Sequence, residues 1–94
     1  MDKINNIRKE IDSIDTKIME LLDERFAKTS HIGTLKKQTT INVYDKNREE
    51  AIFNKMANYR HYPELKNIYT TIMNESKKLQ RKKWFQCMDY LVRN

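Results

Sequence analysis

The sequence predicts an all-α protein made of a long helix, a short helix and a second long helix. Two observations carry that expectation. The 94 residues include one glycine and one proline, too few to supply the chain reversals of a strand-and-turn fold. Apolar residues also recur three and four positions apart over long stretches, which is the period of a helix with one packed face. A chain of this length is expected to form a single domain, residues 1–94, with a modest core.

The first helix is predicted from about residue 2 to about residue 38. Ile4, Ile7, Ile11, Ile14, Ile18 and Leu21 alternate three and four apart, and the stripe resumes at Ile32 and Leu35. Such a helix is about 55 Å long at 1.5 Å per residue. A compact monomer of this size has a radius of gyration of only about 12 to 13 Å. The helix therefore overhangs any globule the chain could form alone, and an intertwined helical homodimer is expected to cover its apolar stripe.

Residues 38–44, rich in β-branched and polar types, read as an extended connector. Asp45 is a good N-cap for a second helix over about 45–60, with Ile52, Met56 and Tyr59 on its apolar face. Arg60, His61 and Tyr62 form the next turn. Pro63 suits the first position of a third helix over about 63–91. That helix carries Leu65, Ile68, Tyr69, Ile72, Met73 and Leu79, with Trp84, Cys87 and Leu91 continuing the stripe.

Charge and cysteine content narrow the setting. The net charge of +6 favours an anionic partner without saying which. Cys87 is the single cysteine, so no intrachain disulfide can form. No apolar signal core opens the sequence and no stretch approaches membrane-spanning length, so a cytoplasmic setting without membrane partners is expected. His31, His61 and Cys87 lack metal-ligand spacing, and no metal or other cofactor is expected.

Several polar residues interrupt the apolar faces. Arg25 stands where the count from Ile18 to Ile32 calls for an apolar side chain, and a guanidinium there must be paired. A structural salt bridge, a wet stretch of seam and a ligand site would each satisfy it. Lys36 lies eleven residues on, close to three full turns, so it points from nearly the same face. Ser76 and Gln80, one turn apart, intrude likewise on the third helix, and Arg48 and Glu49 stand in the first turn of the second. Together they outline an internal polar pocket. Arg8 is 17 residues from Arg25, about 25 Å along one helix, so it can serve the same pocket only from a second copy. Gly33 costs roughly 1 kcal/mol against alanine in a helix; either a close approach of backbone or ligand demands it, or it is a tolerated defect. The run Lys77, Lys78, Arg81, Lys82, Lys83 reads as a solvated face.

Residues 7–15 (Ile7-Arg8-Lys9-Glu10-Ile11-Asp12-Ser13-Ile14-Asp15) followed by Leu21-Leu22-Asp23-Glu24-Arg25 resemble the opening helix of the all-helical chorismate mutases. Ile32-Gly33-Thr34-Leu35-Lys36 is similar to its continuation. Val43-Tyr44-Asp45-Lys46-Asn47-Arg48-Glu49 resembles the family's entry to the second helix, and Glu75-Ser76-Lys77-Lys78-Leu79-Gln80 its closing motif. The resemblance covers about residues 4–80 in the family's order. It departs from the family in a short connector after residue 59 and in Asn42, where proline is frequent.

The resemblance implies rearrangement of chorismate, a dianion, to prephenate in phenylalanine and tyrosine biosynthesis, without covalent catalysis. It implies that Arg8 of the partner chain and Arg25 grip the carboxylates, Arg48 adds positive charge and Ser76 assists one carboxylate. Lys36 and Gln80 are implied at the ether oxygen, and Glu49 with the backbone near Asp45 at the ring hydroxyl. Substrate-binding residues are thus Arg8, Arg25, Lys36, Asp45, Arg48, Glu49, Ser76 and Gln80, of which Lys36, Gln80, Arg25 and Arg48 are the catalytic set.

Three rivals are weighed against this, and one of them, a purely structural coiled-coil module, leaves the inward polar residues unexplained. An isochorismate pyruvate lyase shares the fold, but Asp45 and Glu49 suit the mutase's hydroxyl contact better. A basic nucleic-acid-binding dimer accounts for the charge, yet phosphate contacts belong on exposed faces and not on apolar stripes. The tail Arg81 to Asn94, with Trp84, Phe85, Tyr90 and Leu91, either extends the third helix or docks a partner enzyme. Feedback control is expected to need another protein, since 94 residues leave no room for a sensing domain.

Overall fold

A computed structural model describes the backbone of residues 2–36 and 45–93, and the side chains of residues 2–35 and 45–82. It contains α1 (Asp2–Lys36), α2 (Lys46–Met56) and α3 (Tyr62–Arg93), and no strand among the described residues. The all-helical long–short–long expectation is met. The connector and the last two residues assigned to the first helix lie outside the described residues. None of the helices is long and apolar enough to cross a membrane.

Asp45 caps α2 as expected. Its backbone is extended (φ −123°, ψ 97°), its side chain accepts from the Arg48 amide at 3.0 Å, and its carbonyl accepts the first helical bond from Glu49 N at 3.1 Å. The end of α2 corrects the sequence reading, because the helix stops at Met56 and not near residue 60. The amides of Ala57, Asn58 and Tyr59 bond the carbonyls three residues back, at 3.3, 3.3 and 3.0 Å, which tightens the chain out of the α-helix. Tyr59 is consequently exposed in the turn and not on the face of α2. Pro63 sits second in α3, still within the first turn, where its missing amide costs nothing.

α3 is the element on which both others pack. Among the described residues the buried apolar side chains are Met56 of α2 and Ile72 and Met73 of α3, with Thr29, Ser76 and Gln80 also buried. Ile68, assigned to the inner stripe, is instead exposed. Where α1 and α3 cross, a Cβ on Gly33 would lie 2.7 Å from both Cα and O of Gln80. Close backbone approach therefore explains this glycine, and the crossing fixes where Gln80 stands.

Along the N-terminal half of α1 the apolar stripe stays half-exposed. Ile4, Ile7, Ile11, Ile14 and Ile18 are 47–55% exposed. The molecule measures 63 × 27 × 14 Å with a radius of gyration of 17.6 Å, well above the value of about 12 to 13 Å for a compact chain of this length.

Candidate active site

The three helices enclose a pocket of about 470 Å³. α1 contributes Arg25, Lys28, Thr29 and Ile32 to its wall. The start of α2 contributes Asp45, Arg48, Glu49 and Ile52, and α3 contributes Met73, Ser76, Lys77 and Gln80. The capping geometry of Asp45 matters here, because it fixes the first turn of α2 and with it the directions of Arg48 and Glu49.

Arg25 is held from the opposite helix. Its Nη1 donates to Ser76 Oγ at 2.8 Å, and Ser76 Oγ donates in turn to the Ile72 carbonyl at 2.8 Å. The hydroxyl thus spends its proton on its own helix and offers a lone pair to the guanidinium. Thr29 Oγ1 donates to the Arg25 carbonyl at 2.9 Å, which satisfies a second buried hydroxyl locally. Among the described residues no carboxylate ion-pairs with Arg25 or Arg48. The Arg25 fork makes no other side-chain hydrogen bond among the described residues than the one to Ser76, and the residue lines the pocket.

Gln80 is more than nine-tenths buried, and its Oε1 has no hydrogen-bond partner among the described residues. A buried amide oxygen left unpaired costs free energy, and in a pocket wall a ligand's polar group could satisfy it. Rotating the carboxamide by half a turn exchanges Oε1 and Nε2, so the side chain can present a donor or an acceptor.

The charge of the lining is lopsided. Arg25, Lys28, Arg48 and Lys77 face Asp45 and Glu49, and the Asp45 carboxylate already accepts from a backbone amide. An excess of two positive charges in a confined space suits a small dianion. A second hollow of about 400 Å³ adjoins the first, shares Arg25, Arg48 and Ile52 with it, and is otherwise lined by Lys55, Met56, Tyr59, Leu65 and Tyr69.

Six of the eight residues singled out in the sequence thus converge: Arg25, Asp45, Arg48, Glu49, Ser76 and Gln80. Arg8 is exposed on the far part of α1 and does not line the pocket of its own chain. The Lys36 side chain lies outside the described residues. Lys28 and Lys77 were not anticipated. Continuing the three–four alternation through Arg25 lands on Lys28, so that position was within reach of the sequence. Lys77 requires correction: its side chain is only 20% exposed and its Nζ lies 3.5 Å from Glu49 Oε2, whereas Lys78, Arg81 and Lys82 are exposed.

The family model described as chorismate mutase type II matches residues 7–81. The chain belongs to that family. It is 31% identical over 90 residues to a bifunctional chorismate mutase/prephenate dehydratase of Aquifex aeolicus, a match covering 87% of this chain and 25% of the relative. It is 36% identical over 56 residues to a chorismate mutase of Methanocaldococcus jannaschii, covering 60% of this chain and 57% of the relative. The chain therefore spans a quarter and somewhat over half of the lengths of these curated relatives. No solved structure matches it at comparable significance.

Proposed function

We propose that this chain is a chorismate mutase that converts chorismate to prephenate by an intramolecular rearrangement. The observation that carries the reading is the pocket itself. Its wall has an excess of two positive charges, an arginine held by Ser76, and a buried amide oxygen at Gln80 without a hydrogen-bond partner among the described residues. Those groups match a compact substrate with two carboxylates and an ether oxygen.

In the rearrangement the ether C–O bond breaks as a C–C bond forms, within one molecule and without transfer of a proton. No nucleophile or general base is required. The protein has to hold the reactive conformer and stabilise negative charge growing on the ether oxygen. Arg25 and Arg48 bind carboxylates through planar forks. Gln80, with its Nε2 turned to the pocket, donates to the ether oxygen, and Lys36 joins it there by resemblance to the family. A preorganised donor of this kind contributes about 2.7 to 4 kcal/mol to lowering the barrier. Glu49 accepts from the ring hydroxyl. Ser76 acts by orienting Arg25, since its own proton is engaged with Ile72.

The working unit is a homodimer in which Arg8 of one chain completes the site of the other. Covering five half-exposed isoleucines is worth on the order of 5 kcal/mol per chain before the cost of association. The adjoining hollow, lined by Met56, Leu65 and Tyr69 and reaching Arg25 and Arg48, offers such a helix a seat beside the carboxylate-binding end. The test is to incubate purified protein separately with chorismate and isochorismate and resolve the products. Prephenate from chorismate is expected; pyruvate and salicylate from isochorismate would overturn the reading in favour of a lyase.

A further inference from the structure

Two cations in the pocket wall, Lys28 and Lys77, have no role in the scheme above, and Lys77 is the one with a contact across helices. Lys77 precedes Gln80 by three residues and projects about 60° from it around α3, on the side towards α2. Its Nζ lies 3.5 Å from Glu49 Oε2, and the two side chains are 20% and 21% exposed. That distance is at the outer limit of hydrogen bonding but well within ion pairing. The contact ties α2 to α3 at the pocket's edge. The neighbouring Lys78 differs: it pairs with Glu75 on the same helix, and both are largely exposed.

We propose that Lys77 is a positioning residue of this site, holding the Glu49 carboxylate onto α3 so that it neither occupies the arginines nor loses its aim at the substrate's hydroxyl. The proposal rests on the chorismate reading for the identity of that substrate. The physical reason is competition. A carboxylate confined with two guanidiniums prefers to bind one of them through paired hydrogen bonds, which is the geometry a substrate carboxylate needs. Successive residues of a helix point about 100° apart, so Arg48 does not itself hold Glu49, yet Arg25, Arg48 and Glu49 all line the one pocket and a flexible carboxylate there can reach a guanidinium. Lys77 supplies a nearer counter-charge. Its single ammonium engages Oε2 and leaves Oε1 able to accept a hydrogen bond. Arg25 and Arg48 remain without a carboxylate partner among the described residues.

The experiment uses the purified full chain with chorismate and compares Lys77→Met, Lys77→Arg, Glu49→Gln, the Lys77→Met/Glu49→Gln double variant and Lys78→Met. Lys77→Met is expected to raise KM about tenfold with kcat within about threefold of wild type, and Lys77→Arg to recover most of that loss. In the double variant the Lys77 change should add less than about twofold to the effect of Glu49→Gln, because it acts through that carboxylate. Lys78→Met, which removes the same charge from an exposed side chain, should leave both constants unchanged. Circular dichroism verifies folding, and Lys77→Gln replaces Lys77→Met if the latter misfolds. An unchanged KM in Lys77→Met, effects that multiply in the double variant, or an equal effect of Lys78→Met would each overturn the assignment. A wild type that does not turn over chorismate would overturn the substrate reading and this assignment together; an active wild type with an indifferent Lys77 overturns the assignment alone.

Discussion

Replacing Gly33 by alanine separates local helix preference from the demands of the site. In an exposed helix the change would stabilise by roughly 1 kcal/mol, because glycine is the poorer helix former. Here the added Cβ would stand 2.7 Å from Cα and O of Gln80 and 3.1 Å from its carbonyl carbon, where ordinary contact begins at 3.4 Å. The obstacle is backbone, so no side chain can swing aside. α1 and α3 must part by about 0.7 Å at their crossing. Overpacking of this kind costs about 1 to 3 kcal/mol, which offsets or exceeds the gain in helix preference. Activity is the sharper readout, since the displaced residue is Gln80 itself and a misplacement near 1 Å can cost about a hundredfold. Gly33→Ala is expected to remain helical, to melt at or below the wild-type temperature, and to lose about thirty- to a hundredfold in kcat/KM for chorismate. Circular dichroism and a chorismate-depletion assay measure both. A variant that is more stable and fully active would show that the close approach has no part in placing Gln80.

Ser76→Ala removes the acceptor that holds Arg25 Nη1 at 2.8 Å; hydrogen bonds to charged groups are worth about 1.5 to 3 kcal/mol, so kcat/KM should fall about tenfold or more without loss of helicity. Gln80 donates as an amide at any pH, so wild-type kcat should be nearly flat between about pH 6 and pH 8, whereas Gln80→Glu must be protonated to donate and should gain activity towards acid. A steep acid rise in the wild type would contradict the role given to the amide. Mixing Arg8→Ala with Arg25→Ala, each nearly inactive alone, should restore up to about a quarter of wild-type activity, since half the dimers are mixed and each carries one intact site. A mixture no better than its parts would place Arg8 outside the site.

Much of this arrangement is legible in the amino-acid sequence. The scarcity of glycine and proline and the long isoleucine stripe specify three helices, and Asp45 marks where α2 begins. Arg25, Ser76 and Gln80 betray a polar interior because each interrupts an apolar face. The end of α2 was not legible: no proline or glycine marks it, and the change to three-residue bonds at Ala57, Asn58 and Tyr59 has no strong local signal. Lys77 was misplaced for a different reason. Spacing gives a residue's angle around its own helix but not which neighbour lies there, and the role of Lys77 depends on α2 bringing Glu49 within 3.5 Å. Arg25 illustrates the converse: its intrusion into the seam was plain, but only the tertiary structure shows a serine, and among the described residues no carboxylate, as its partner.

The decisive quantity is kcat/KM for chorismate in Arg25→Ala beside wild type, with prephenate measured as product. Arg25 is the side chain on which anion binding, the Ser76 contact and the shared lining of both hollows converge. Removing one partner of a buried charged contact costs about 2 to 5 kcal/mol, so a folded variant should fall by a factor on the order of a thousand. An Arg25→Ala protein that forms prephenate within about threefold of the wild-type rate, a difference below 1 kcal/mol, would show that this pocket is not where the reaction occurs.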